Sequence, residues 1–175
     1  MRIDRLWQLE YQRTEDEYRY RIVEAEYPTA FQAVRMAFLD MGLPIKRLSV
    51  TEGVIVSENN GPTPLTKEEW LEVVKNEEPR VKELGGWMFT MPEDASVYVI
   101  TVKAILRALK DKTLVVLTYE IDSPKHKELG LTPGKHAPPD AVRIGATKFW
   151  KCMTERLNAA NLPEPRRRRP DEWVI

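Results

Sequence analysis

The stretch Tyr27–Asn59, YPTAFQAVRMAFLDMGLPIKRLSVTEGVIVSEN, decides how the rest of the chain must fold. Pro28 suits the first turn of a helix, where a fixed φ fits and no N–H is needed. Phe31, Val34, Phe38 and Met41 recur at the spacing of one helical face, with Ala30, Ala33 and Ala37 beside them for close packing. Gly42 can take the left-handed position that ends a helix, and Pro44 prevents continuation. Ile45–Val50 and Val54–Glu58 then read as two strands joined at Thr51-Glu52-Gly53, with Gly53 where a positive φ is needed. Burying each large apolar side chain of the helix is worth roughly 1.5–3 kcal/mol, so this stripe is expected to form half the core.

Working outward, Tyr18–Glu26 alternates Tyr18, Tyr20 and Ile22 with Arg19 and Arg21, which is the pattern of a half-exposed strand. Residues 1–17 before it are dense in charge and are expected to be an N-terminal arm. On the other side, residues 63–91 read as a helical insertion between strands. Thr66 and Glu69 have the spacing of a capping box, with Leu65 and Trp70 as a hydrophobic staple. That helix is expected to run from Lys67 to about Asn76, with a restart at Pro79 through Leu84, and a modest apolar side of Trp70, Leu71 and Val74. Val97–Ala108 and Thr113–Asp122 form the clearest pair: Tyr98, Ile100, Val102, Ala104 and Leu106 share one face, as do Val115, Leu117, Tyr119 and Ile121. A long helix over Asp140–Asn161 carries Val142, Ala146, Phe149, Met153 and Leu157, and residues 162–175 form an Arg/Pro-rich tail.

The order β-α-β-β-(α)-β-β-α with short connections predicts an α+β fold. Its expected form is a single twisted antiparallel sheet with two long helices packed on one face, spanning residues 18–161 as one domain. Lys+Arg and Asp+Glu both number 27 in 175 residues, so overall charge gives nucleic acid or an anionic membrane no purchase. The single cysteine, Cys152, excludes an intrachain disulfide and a cysteine-built zinc site within one chain. No apolar run is long enough to span a bilayer.

Residues able to do chemistry are few. His126 and His136 share one loop, with Asp122, Glu128 and Asp140 nearby in sequence, but nothing fixes their geometry. Cys152 sits beside an apolar stripe and reads as a core or boundary residue. Glu68, Glu69, Glu72, Glu77 and Glu78 read as the solvated face of a charged helix. No nucleophile elbow, dinucleotide-binding glycine pattern or phosphate-binding loop occurs. No cofactor is expected, and no catalytic or metal-binding residue is assigned. The candidates for a partner contact are Trp87 and Phe89, the arginine run Arg166, Arg167, Arg168 and Arg169, and Trp173.

The residues Tyr27–Met41, Gly42 and Thr51-Glu52-Gly53-Val54-Ile55-Val56 resemble a class of small bacterial envelope domains. The repeated domains of BamC, a lipoprotein of the outer-membrane β-barrel assembly machine, are similar in this sense. The resemblance covers residues 18–161 and implies a non-enzymatic interaction domain, with no catalytic residue carried over. The chain departs from the pattern in its capped helix at Thr66–Leu84 and its arginine tail. It also shows no lipoprotein signal or acceptor cysteine at its start, so membrane association is expected only through a lipid anchor upstream. The expected compartment is the periplasm or envelope where a signal has been removed, and the cytoplasm otherwise.

The leading expectation is therefore a protein-interaction or scaffolding domain, possessing a protein partner and no nucleic acid, in a cell-envelope assembly. The alternative is a binder of small apolar ligands, with Tyr98, Ile100, Phe149 and Trp150 lining a pocket between sheet and helix. A third reading is an enzyme using His126 or His136 with a loop carboxylate.

Overall fold

Tyr27–Asp40 is a helix whose Phe31, Val34 and Phe38 are buried, with Met41 just past its end. A computed structural model describes residues 2–85, 90–122 and 137–160 of the chain. In chain order the described elements are α1 (Arg2–Tyr18), β1 (Tyr20–Val23), α2 (Tyr27–Asp40), β2 (Ile45–Ser49), β3 (Val54–Asn60), α3 (Lys67–Gly85), β4 (Val99–Leu109), β5 (Lys112–Asp122) and α4 (Pro139–Ala160). The helix α2 ends as its sequence requires. Gly42 has φ +70°, its N–H donates to the Leu39 carbonyl at 3.0 Å, and the Leu43 N–H donates to the Phe38 carbonyl at 2.9 Å. Those two bonds satisfy carbonyls that a helix end leaves orphaned, and both Leu43 and Phe38 are buried.

The strands form one antiparallel sheet in the order β1-β5-β4-β3-β2. Every residue of the inward face of β4 from Ile100 to Leu106 is buried, and so is that of β5 from Thr113 to Ile121. The fold is thus α+β with a single open sheet. The two long helices foreseen from sequence, α2 and α4, pack together on its inward face, where Phe38 meets Phe149 edge to face at 5.9 Å.

Three expectations need correction. The charge-dense start is a helix, not an arm. Tyr11 of α1 is buried, and its hydroxyl donates to the Tyr119 carbonyl at 2.7 Å, while Glu10 pairs with Arg80 of α3. The surfaces that order α1 lie 70 and 108 residues away in sequence, so local composition did not reveal them.

Second, α3 is one continuous helix through Pro79. Pro79 deletes one N–H and sits on the exposed side, where water can satisfy the freed carbonyl. The capping box forms as its spacing predicts: the Glu69 N–H donates to the Thr66 hydroxyl at 3.2 Å and the Thr66 N–H to the Glu69 carboxylate at 2.7 Å. Lys148 of α4 binds the same carboxylate at 2.8 Å, which ties the cap to the core. Burial works against ionisation of Glu69, but the Lys148 bond and the Thr66 N–H outweigh it and hold the carboxyl below its ordinary value. The apolar side of α3 is larger than expected: Trp70, Val73, Val74 and Val81 are all buried, whereas Leu71 is exposed.

Third, the first strand is only four residues long and turns its apolar side outward. Tyr20 and Ile22 pair with Val116 and Leu114, on the face away from the helices. Arg21 points inward, with its guanidinium 4.8 Å from the ring centre of Trp150. The indole N–H of Trp150 donates to the Tyr18 carbonyl at 2.8 Å. The large flat indole of α4 occupies the space beneath β1, and a stacked guanidinium covers it as well as an aliphatic side chain would.

Candidate functional site

The contact residues read from sequence, Trp87, Phe89, Arg166, Arg167, Arg168, Arg169 and Trp173, lie outside the described residues, as do His126 and His136. Cys152 is half-buried, and burial, then the charges of Glu155 and Asp40, push its thiol up, away from the thiolate that reactivity needs.

The four residues proposed to line an apolar pocket do not share one. Phe149 packs on Trp150 at 4.9 Å, and Tyr98 packs on Trp70 at 5.7 Å. Ile100 borders a space of about 20 Å³ shared with Leu65, Trp70, Tyr119 and Val142. One water needs roughly 10–15 Å³ by this measure, so the space fits a water rather than a ligand. This space beside Ile100 is too small for the ligand of the alternative reading.

A different feature emerges where α1, α3 and the start of α4 converge. A groove of about 340 Å³ runs between them, and the side chain of Glu77 lines it. Glu77 was expected on a solvated face, yet only 3% of it is exposed. The correction follows from helical spacing. Glu77 lies seven residues after Trp70, four after Val73 and four before Val81, so it occupies the buried stripe. That spacing was present in the sequence. The carboxylate at a core position was the signal, and the surrounding acidic residues hid it.

Glu77 has a structural task. Its Oε1 accepts the Asp140 N–H at 3.1 Å, capping the first turn of α4 from a neighbouring helix. Asn76 donates to the Asp140 carboxylate at 3.2 Å, and Arg143 donates to it at 2.7 Å. The second oxygen, Glu77 Oε2, is buried and has no hydrogen-bond partner among the described residues. Burial raises the affinity of Glu77 for its proton; the Asp140 N–H bond opposes this, the Asp140 charge reinforces it, and Arg80 and Glu10 add smaller effects of opposite sign.

This makes a pH prediction. The folded state holds the Glu77 proton more tightly than the unfolded chain, whose value is near 4.5. The stability this contributes is complete below that value and is lost as pH rises through the higher folded value. Glu77→Gln keeps the Oε1 acceptor and removes the titration. Its stability relative to the parent should therefore improve from about pH 4 to about pH 8 in urea melts. A constant difference across that range would mean that Glu77 does not titrate abnormally.

No known family's model matches this chain, and neither does any curated protein. The site must be judged on its own geometry.

The second feature is the outward face of the sheet. Its central row reads Tyr20, Val116, Ile105, Val54 across β1, β5, β4 and β3, with Ile22, Leu114 and then exposed Arg107 in the row beside it. Tyr20 and Ile22 are 59% and 58% exposed, and the other four apolar residues are half-buried. The next rows on the other side carry charge among smaller groups: Thr118, Lys103, Val56 and Arg47, then Glu120, Thr101 and Glu58. No described helix covers this face, so it is an apolar strip with a charged border.

Proposed function

We propose that this chain is a non-enzymatic protein-interaction domain that docks a protein partner on the outward face of its sheet. The observation that carries this reading is the exposed row Tyr20–Val116–Ile105–Val54 with Ile22 and Leu114. Covering the exposed parts of Tyr20 and Ile22 would contribute roughly 1–2 kcal/mol each before the costs of association. The sheet edges are poorer sites. β1 is four residues long, and β2 carries Lys46 and Arg47 at a shift of register, features that discourage addition of another strand. The packed space between sheet and helices supports a binding face over a ligand pocket. The likeness of Tyr27–Val56 to BamC-type domains supports a place in a bacterial cell-envelope assembly.

Site-specific photocrosslinking in the source cells tests the proposal. A benzophenone side chain at Tyr20 or Val116 should give a discrete adduct, whereas one at Leu71 or Lys75, exposed on α3, should not. Adding Ile22→Asp should abolish the adduct while changing stability by no more than about 0.5 kcal/mol, because the residue is already exposed. Equal labelling from both faces, or none from the sheet, overturns the assignment.

A further inference from the structure

The groove between α1, α3 and α4 contains charges that its own side chains do not balance. Glu10 is paired with Arg80, and Asp140 with Arg143 and Asn76. Among the described residues, the remaining ionisable groups are Glu17, Arg13 and Glu77, and Glu77 Oε2 is buried without a hydrogen-bond partner. When Glu77 is ionised, two acids stand against one base among these described groups. A buried carboxyl oxygen left in this state costs free energy unless something donates to it.

We propose that the groove is a binding site for a donor-bearing organic cation, an ammonium or guanidinium group, that hydrogen-bonds to Glu77 and is balanced in charge by Glu17. An anionic ligand would meet the surplus of acid and would supply no donor for Oε2. Among the described residues, no group of histidine, cysteine and carboxylate side chains is arranged to hold a metal ion. At about 340 Å³ the groove lies at the small end of ligand sites, which run from roughly 300 to 1,000 Å³. Oε2 lies below the groove surface, so the ligand must seat deeply. Arg80 and Glu10, the charged pair that biases Glu77, are partly exposed side chains on the wall of the groove. Binding a cation favours ionised Glu77, so affinity rises with pH until that group has lost its proton. The charged groups facing it are Glu10, Arg13 and Glu17 from α1, Arg80 from α3, and Asp140 and Arg143 from α4.

Titration of the full chain with agmatine, followed by calorimetry and amide chemical shifts, tests the site. Agmatine should bind saturably and shift amides of α1, α3 and the start of α4. Tetramethylammonium, a cation without donors, should not bind at equal ionic strength. Glu77→Gln should weaken agmatine about tenfold or more, as expected for loss of a charged hydrogen bond. Glu17→Gln, on an exposed position, should weaken it several-fold without any question of misfolding. The same chemistry reaches a groove from a free amine or from a partner's side chain. A blocked Gly-Arg-Gly peptide that binds tighter than agmatine indicates the side chain, and the reverse order indicates the amine; both carry the proposal. It is overturned if agmatine fails to saturate, if tetramethylammonium binds equally, or if both variants bind as the parent does.

Discussion

Gly53→Ala is expected to cost about 3 kcal/mol or more, whereas Gly42→Ala should cost roughly 1–2 kcal/mol. Both glycines have nearly the same left-handed backbone, with φ +67° and +70°. The backbone penalty of an alanine is therefore shared. What differs is the space. A methyl at Gly42 would meet nothing nearer than the Thr63 side chain at 3.9 Å. One at Gly53 would lie 2.3 Å from the Leu106 carbonyl oxygen and 3.1 Å from the Tyr27 hydroxyl. A carbonyl of β4 cannot rotate out of the way like a side chain. The Gly53 carbonyl also accepts the Leu106 N–H at 2.7 Å, and this bond would be strained or lost when the strands move apart. Urea unfolding of the two variants decides the matter. If Gly53→Ala is no worse than Gly42→Ala, the β2–β3 turn does not press against β4 as described.

Trp70→Ala is expected to be the most damaging single truncation in α3, at about 3–5 kcal/mol. Trp70 is 1% exposed. Its ring meets Tyr98 edge to face at 5.7 Å, and its indole N–H donates to the Pro92 carbonyl at 3.0 Å. Truncation removes the buried ring, leaves a cavity and orphans that carbonyl. Leu71→Ala, one residue on and exposed, should stay within about 0.5 kcal/mol. The pair of melts tests whether residues 63–91 are an appendage or part of the core. If both substitutions prove equally mild, the helix is an appendage and the packing described for it is wrong.

Legibility followed the range of the interactions. The end of α2 could be read from Gly42 and Pro44 because capping is settled within five residues. The Thr66–Glu69 box was readable for the same reason. The inward faces of β4 and β5 followed from alternation along each strand, which breaks only at the exposed end of β4. Glu77 was half-legible: its place on the α3 stripe could be counted, but its partner, the Asp140 N–H, is 63 residues away. The direction of the first strand's apolar side was left open for a simple reason. Alternation shows that Tyr20 and Ile22 share a side, but not which side the helices take.

The sequence by itself therefore determined α2, the two hairpins, the last helix and the single sheet, because periodicity, caps and turns act on neighbours along the chain. Only the tertiary structure decided that α1 is a helix, that Trp150 claims the space under β1 and turns Tyr20 and Ile22 to solvent, and that Glu77 is buried against the start of α4. Each depends on which distant surface fills a given volume, and a one-dimensional pattern does not specify that. The proposed binding face and the proposed cation groove both rest on those long-range choices.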